Sequence, residues 1–212
     1  MPRVMGDTDY GPVGAGYTRV RRTDPRIAAL IHAALGDART VVNVGAGAGS
    51  YEPAERHVLP VEPSAAMRAQ RPAHLAPASH GVAEQLPFDG DELGRLWLMD
   101  YVPELQRAES ARYPAIATIT DALGPNTEVH PVPVPIDCVD GFTEAFYARP
   151  ESFLDPAVRL AQSAWGFIEP GVAERAMAAL AADLASGAWD ERYGHLRTEP
   201  EFDGAVRLIV SR

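Results

Sequence analysis

The stretch Val41-Val42-Asn43-Val44-Gly45-Ala46-Gly47-Ala48-Gly49-Ser50, running on through Tyr51-Glu52-Pro53 to Val58-Leu59-Pro60-Val61-Glu62, decides the reading of this chain. Val41, Val42 and Val44 form a short apolar, β-branched run, the composition expected of a strand buried on both faces. Gly45, Gly47 and Gly49 follow at every second place. A glycine-rich turn directly after a buried strand lets a ligand approach the backbone, because no Cβ stands in the way. The second apolar run, Val58 to Val61, ends in Glu62. An acid at the tip of the second strand of such a unit commonly hydrogen-bonds a pair of ribose hydroxyls. Loop and acid together read as a site for a nucleoside-bearing cofactor.

The spacing of the glycines narrows the choice. The dinucleotide fingerprint is G-x-G-x-x-G/A. Here the pattern is G-x-G-x-G with Ser50 in sixth place, which disfavours a nicotinamide dinucleotide. The segment NVGAGAGSYEP followed by VEPSAAM closely resembles the class I S-adenosylmethionine-dependent methyltransferases, of the methyltransferase type 11-like kind. Ala83-Glu84-Gln85-Leu86-Pro87-Phe88 resembles the A-E-x-L-P-F segment of the same family, whose backbone lies beside the adenine. The resemblance implies an α/β fold, a Rossmann-like sheet with helices on both faces, mostly parallel and closed by an antiparallel C-terminal strand. It implies S-adenosylmethionine as the cofactor. Gly45, Ala46, Gly47 and Gly49 would lie against its methionine part, and Asn43, on strand one, would also bind the cofactor. Glu62 would hold the ribose, Pro63 would touch the adenine, and Ala83 and Glu84 would line the adenine edge. Tyr17 and Arg21 match the Tyr-x-x-x-Arg spacing of an N-terminal segment that folds over the cofactor in that family. The chain departs from the family pattern twice: Val82 and Asn43 stand where relatives often carry acids. Both changes remove a charge, although Asn keeps its hydrogen-bonding capacity.

Composition bounds the function. A chain of 212 residues with 46% hydrophobic and 23% charged residues is expected to be one soluble globular domain with a substantial core. Within it, residues 1–24 read as an N-terminal arm, 25–90 as the cofactor-binding half, and 91–212 as a helical, substrate-side region with closing strands. The net charge of −10 argues against nucleic acid or an anionic membrane as a partner, because either calls for a basic face. All 19 basic residues are arginine, so no lysine is present for a Schiff base or a P-loop. Cys138 is the only cysteine, which excludes an intrachain disulfide and a cysteine-rich zinc site. The N-terminus lacks the apolar core of a signal peptide, and no segment has the length of a membrane span, so a cytoplasmic location is the default.

Asp24 and Pro25 read as an N-cap and first helical residue, with Gly36 as the stop. Pro63 to Arg68 start a second helix, with Met67 as core filler. Ser79 to Glu84 reads as a short third strand. Leu93 to Leu98 and Val102 to Leu123 read as helices, the second interrupted near Pro114. Pro131, Pro133 and Pro135 fall on alternate residues, which suits an edge strand whose missing donors face away from the sheet. The aromatic residues between Gly141 and Phe167 read first as core packing and second as a substrate pocket. Pro170 opens another helix, Trp189 to His195 reads as a loop, and Ala205 to Val210 as the closing strand.

No histidine sits in a metal-binding arrangement and no G-x-S-x-G elbow occurs, so neither a metal site nor a serine nucleophile is expected. The resemblance implies methyl transfer from a sulfonium to a small-molecule acceptor in a single displacement, with no catalytic side chain identified. His130 and His195 are candidates for a base. The alternative is a catalytically impaired or nonenzymatic cofactor-binding or interaction protein derived from a methyltransferase. That alternative draws on the stretch after Phe88, where Asp89 to Leu98 is too short for the strand four–helix–strand five unit expected there. Either strand one loses its neighbour, or a segment is missing from the sequence.

Overall fold

The computed structural model of the chain describes residues 17–80, 96–110 and 116–211. These fall into two compact units, the first ending at Leu86 and the second beginning at Pro87.

The first unit holds helix α1 (Tyr17–Val20), helix α2 (Pro25–Ala34), strands β1 (Thr40–Val44) and β2 (His57–Val61), and helix α3 (Ala65–Ala69). Helix α2 starts where the sequence places it. Asp24 is extended, its carboxylate accepts from the Arg26 amide at 3.0 Å, and Pro25 sits in the first turn where a missing donor costs nothing. Its far end is closed by Arg56, whose guanidinium donates to the carbonyls of Gly36 and Ala38 at 2.8 and 2.5 Å. A cation over the open carbonyls of a helix end is stabilising, and this one also fixes where β2 begins.

Strands β1 and β2 pair in parallel, Val41 opposite Val58 and Val44 opposite Val61. Their connection, residues 45–56, is built of turns rather than the usual crossover helix. The expected third strand begins as a single parallel bridge of Ser79 to Val61; from residue 81 onward it lies outside the described residues. So do residues 89–95, most of the stretch expected to be too short for the strand four–helix–strand five unit.

One expectation is corrected here. Strand β1 is not buried on both faces: Val42 and Val44 are 60% and 53% exposed, and Leu59 opposite Val42 is exposed as well. The reason is the two-residue period of a strand. Val58 and Pro60 are buried on one face, while the alternate residues form the other. Among the described residues the sheets are small, and parallel pairing is confined to β1, β2 and the Ser79 bridge.

The second unit holds a 3₁₀ turn at Trp97–Asp100; of the helix expected over 93–98, residues 93–95 lie outside the described residues. Helices α4 (Pro103–Ser110) and α5 (Ile116–Leu123) flank the position of Pro114, with 111–115 outside the described residues. Strand β3 (Thr127–Pro131) pairs antiparallel with the last strand, β6 (Arg207–Ser211), and β4 (Val134–Pro135) with β5 (Glu201–Phe202). The alternating prolines fit this arrangement. Val132 and Ile136, which keep their N–H groups, donate to the Val206 and Pro200 carbonyls at 3.0 and 2.9 Å. The prolines between them carry no donor to waste.

Helices α6 (Pro156–Leu160), α7 (Pro170–Ser186) and α8 (Ala188–Tyr193) complete the unit. Helix α8 replaces the loop expected over Trp189 to His195. Gly187, at φ +86°, ends α7 in the left-handed conformation and the chain at once restarts a helix. That restart carries Trp189 inward, edge-on to Trp97 at 5.3 Å between ring centres. Trp97 donates its indole N–H to the Tyr147 carbonyl at 2.8 Å. Phe146, Tyr147, Phe153 and Trp165 are all buried, so the aromatic concentration is mainly core packing.

Candidate functional site

The site is built at the carboxyl ends of β1 and β2. The chain leaves β1 through Gly45, Gly47 and Gly49, all at positive φ, +71°, +51° and +95°. Residues with a Cβ pay for that conformation, and the alternating glycines avoid it. Gly45 and Ala46 both donate to the Val61 carbonyl, at 2.9 and 3.0 Å, which pins the loop to the end of β2. Glu62, only 5% exposed, then bridges loop and turn. One carboxylate oxygen accepts from the Gly47 amide and the other from the Ser64 amide, each at 2.8 Å. Ser64 in turn caps α3, accepting from Met67 at 3.3 Å.

The three glycines have different reasons to be glycine. A Cβ at Gly45 would meet nothing within 4 Å, so its backbone faces open space. A Cβ at Gly47 would come to 3.4 Å from the Met67 methyl. A Cβ at Gly49 would overlap the Leu75 side chain and lie 3.2 Å from Arg71 Nη1. Close approach of a ligand therefore fits Gly45 and Gly47, whereas the smallness of Gly49 serves packing against Leu75 and Arg71.

Beneath the loop lies an ion pair. Arg71 donates to Glu52 at 2.7 Å, with side chains 3% and 2% exposed. Asn43 donates its amide to the other Glu52 oxygen at 2.9 Å, so this donor is directed at a protein carboxylate. Arg71 also faces the carbonyls of Gly47 and Ala46, at 3.3 and 3.5 Å. Neither Glu52 nor Arg71 was singled out from the sequence. The separation of 19 residues between the partners gave no pattern to find.

Tyr51 was missed as well. It is a non-glycine residue at φ +65°, held from three sides. Its amide donates to Thr23 Oγ1 at 3.3 Å, its hydroxyl accepts from the Asp24 amide at 3.4 Å, and His32 Nε2 lies 3.1 Å from its carbonyl. Such over-determination is what keeps an unfavourable backbone conformation in place.

Of the other candidates, Tyr17 and Arg21 pack on each other, with the guanidinium carbon 5.6 Å from the ring centre. Ala46 is buried, and the Pro63 carbonyl accepts from Arg68 at 2.8 Å. Ala83 and Glu84 lie outside the described residues. In the second unit, His130 and His195 are exposed, and His130 faces Glu128 at 3.1 Å. Among the described residues no group of three or more His, Cys, Asp or Glu is placed to hold a metal ion, and no helix is long and apolar enough to cross a membrane.

No family model matches the sequence, and no curated protein matches it. A solved structure does. The chain is similar to a crystal structure from Anabaena variabilis ATCC 29413 described as a "putative methyltransferase from antibiotic biosynthesis pathway". The match has a TM-score of 0.77 and 25% sequence identity, and it covers 91% of this chain and 98% of the other. The mixed α/β fold seen here is thus one shared, over nearly the whole of both chains, with a protein described as a methyltransferase.

Proposed function

We propose that this chain is an S-adenosylmethionine-dependent methyltransferase that acts on a small-molecule acceptor. The observation that carries the reading is the Glu62 carboxylate bound to the Gly47 amide at 2.8 Å. It brings the acid after β2 against the glycine loop after β1, at the carboxyl ends where open α/β sheets take ligands. The similarity to a structure described as a methyltransferase supports it. The residues present fit the cofactor. The backbone at Gly45 faces open space, and each Glu62 oxygen, with one hydrogen bond made, keeps a lone pair for a ribose hydroxyl.

In this reading Gly45 and Gly47 admit the methionine part and Glu62 orients the ribose, with Pro63, Ala83 and Glu84 at the adenine and Tyr17 and Arg21 over the site. When bound, the cofactor supplies an electrophilic methyl on a thioether leaving group. The chain's own contribution is then alignment and exclusion of water, and no side chain need move a proton unless the acceptor requires it.

Titration calorimetry with S-adenosylmethionine, S-adenosylhomocysteine and NAD tests the cofactor. Binding of the first two but not NAD is expected, and binding of NAD alone would overturn the assignment. A screen of small-molecule acceptors with a radiolabelled methyl donor tests transfer. Binding without transfer to any acceptor would favour the nonenzymatic reading, for which the shortened stretch after Phe88 is the sequence argument.

A further inference from the structure

Arg71 is saturated. A guanidinium has five N–H donors. Here Nε and Nη2 donate to the Ala76 carbonyl at 3.0 and 2.9 Å, Nη2 donates to Glu52 at 2.7 Å, and Nη1 reaches the Gly47 and Ala46 carbonyls at 3.3 and 3.5 Å. Nothing is left over for a ligand. The same group therefore ties together the glycine loop, the segment after it and the approach to the third strand. Glu52 is equally committed, one oxygen to Arg71 and the other to Asn43 on β1.

The charges balance only as they stand. One buried carboxylate faces one buried guanidinium, and a neutral amide completes the carboxylate's shell. A second acid at position 43 would put two carboxylates in contact over a single arginine, and like charges at that distance are repelled. An amide at position 52 with Asn43 unchanged would leave the buried Arg71 guanidinium without the carboxylate that neutralises it. Gly49 belongs to the same assembly, since a side chain there would displace Leu75 and crowd Arg71.

We propose that Asn43, Glu52 and Arg71 are positioning residues that hold the glycine loop in its ligand-accepting shape without touching the ligand. The proposal rests on the methyltransferase reading for the identity of that ligand. The interior acid and amide are interchangeable in principle. In the exchanged pair N43D/E52Q, the amide now at position 52 donates to the carboxylate now at position 43. The amide oxygen at position 52 still accepts from Arg71, so charge and hydrogen bonds are both kept.

The test compares wild type, N43D, E52Q and N43D/E52Q. Affinity for S-adenosylhomocysteine is measured by calorimetry at a temperature where near-ultraviolet circular dichroism shows each variant folded. Each single substitution is expected to weaken binding about tenfold or more, and the exchanged pair to return to within about threefold of wild type. Should N43D fail to fold, the comparison of E52Q with the double variant carries the same information. Singles that bind like wild type, or a double no better than the worse single, would overturn the proposal. If the wild type binds no S-adenosylhomocysteine, the cofactor assignment falls by itself. Hydrogen exchange at the Gly45, Gly47 and Gly49 amides across the same variants then decides. Exchange that is faster in the singles and recovered in the pair supports the positioning role, and unchanged exchange overturns it.

Discussion

The Gly47 amide donates to the Glu62 carboxylate across 2.8 Å, and this bond joins the loop after β1 to the tip of β2. The other carboxylate oxygen holds the Ser64 amide at the same distance, so Glu62 fixes both walls of the site from its centre. Its burial keeps water from competing for either bond.

Glu62→Ala removes the acceptor of two charge-assisted bonds, each worth about 1.5–3 kcal/mol. We expect affinity for S-adenosylhomocysteine to fall tenfold or more. Glu62→Gln, which keeps one acceptor but presents N–H to N–H at the other, should lie between. Calorimetry on the three proteins measures this, and unchanged affinity in Glu62→Ala would remove Glu62 from the site.

Gly45→Ala and Gly49→Ala should fail in different ways. At Gly45 the added methyl has open space, so the cost is the left-handed backbone, about 1–2 kcal/mol, with the methyl standing where a ligand would approach. Binding should be lost from a folded protein. At Gly49 the methyl meets Leu75 and Arg71, so the melting temperature should drop first. Thermal melts paired with calorimetry separate the two, and equal effects on both readouts would refute the division.

Much of the first unit was legible in the sequence because its signals are local. Asp24-Pro25, Ser64, the glycine spacing and Glu62 each act within a few residues of themselves. The ion pair that organises the loop from below was not legible. The Glu52–Arg71 pair spans 19 residues through a buried contact, and nothing in either residue's neighbours marks it. Burial of β1 was misread for a related reason. Three valines announce a strand but not how many neighbours it has, and Val42 and Val44 are exposed. In the second unit the loop expected at Trp189 is a helix, because Gly187 both ends one helix and starts the next.

Trp189 anchors the core of the second unit. It is fully buried, packed edge-on against Trp97 and covered by the Arg197 guanidinium 4.8 Å from its ring centre. Trp189→Ala should cost about 3–5 kcal/mol through the cavity it leaves. Trp189→Phe, which keeps an aromatic ring in place, should cost less. Urea unfolding gives both values, and a loss under about 1 kcal/mol in the alanine variant would contradict this packing.

Stability should also depend on pH through one buried acid. Glu144 lies in the 3₁₀ turn Thr143–Phe146, where one oxygen accepts from the Ala205 amide at 2.7 Å and the missing side chain of Gly204 makes room for the carboxyl. Burial pushes its pKa up to about 7, against the downward pull of the Ala205 and Val206 amides and of Arg207; Asp203 adds a smaller upward push. In the unfolded chain the same group ionises near its ordinary value of 4.5. Between those two values the native state holds a proton that the unfolded state has released. The stabilisation is therefore complete below about pH 4.5 and is lost as pH rises through 7. A shift of that size corresponds to a loss on the order of 3 kcal/mol. Glu144→Gln cannot ionise, so it should lack this component of the pH dependence. Melting temperatures of the two proteins, measured from pH 5 to 8, should diverge with rising pH, the wild type losing several degrees relative to the variant. Other carboxylates titrate alike in both proteins and cancel in the difference. Parallel curves across that range would mean that Glu144 is already ionised in the folded protein and that its burial is offset by the amides around it.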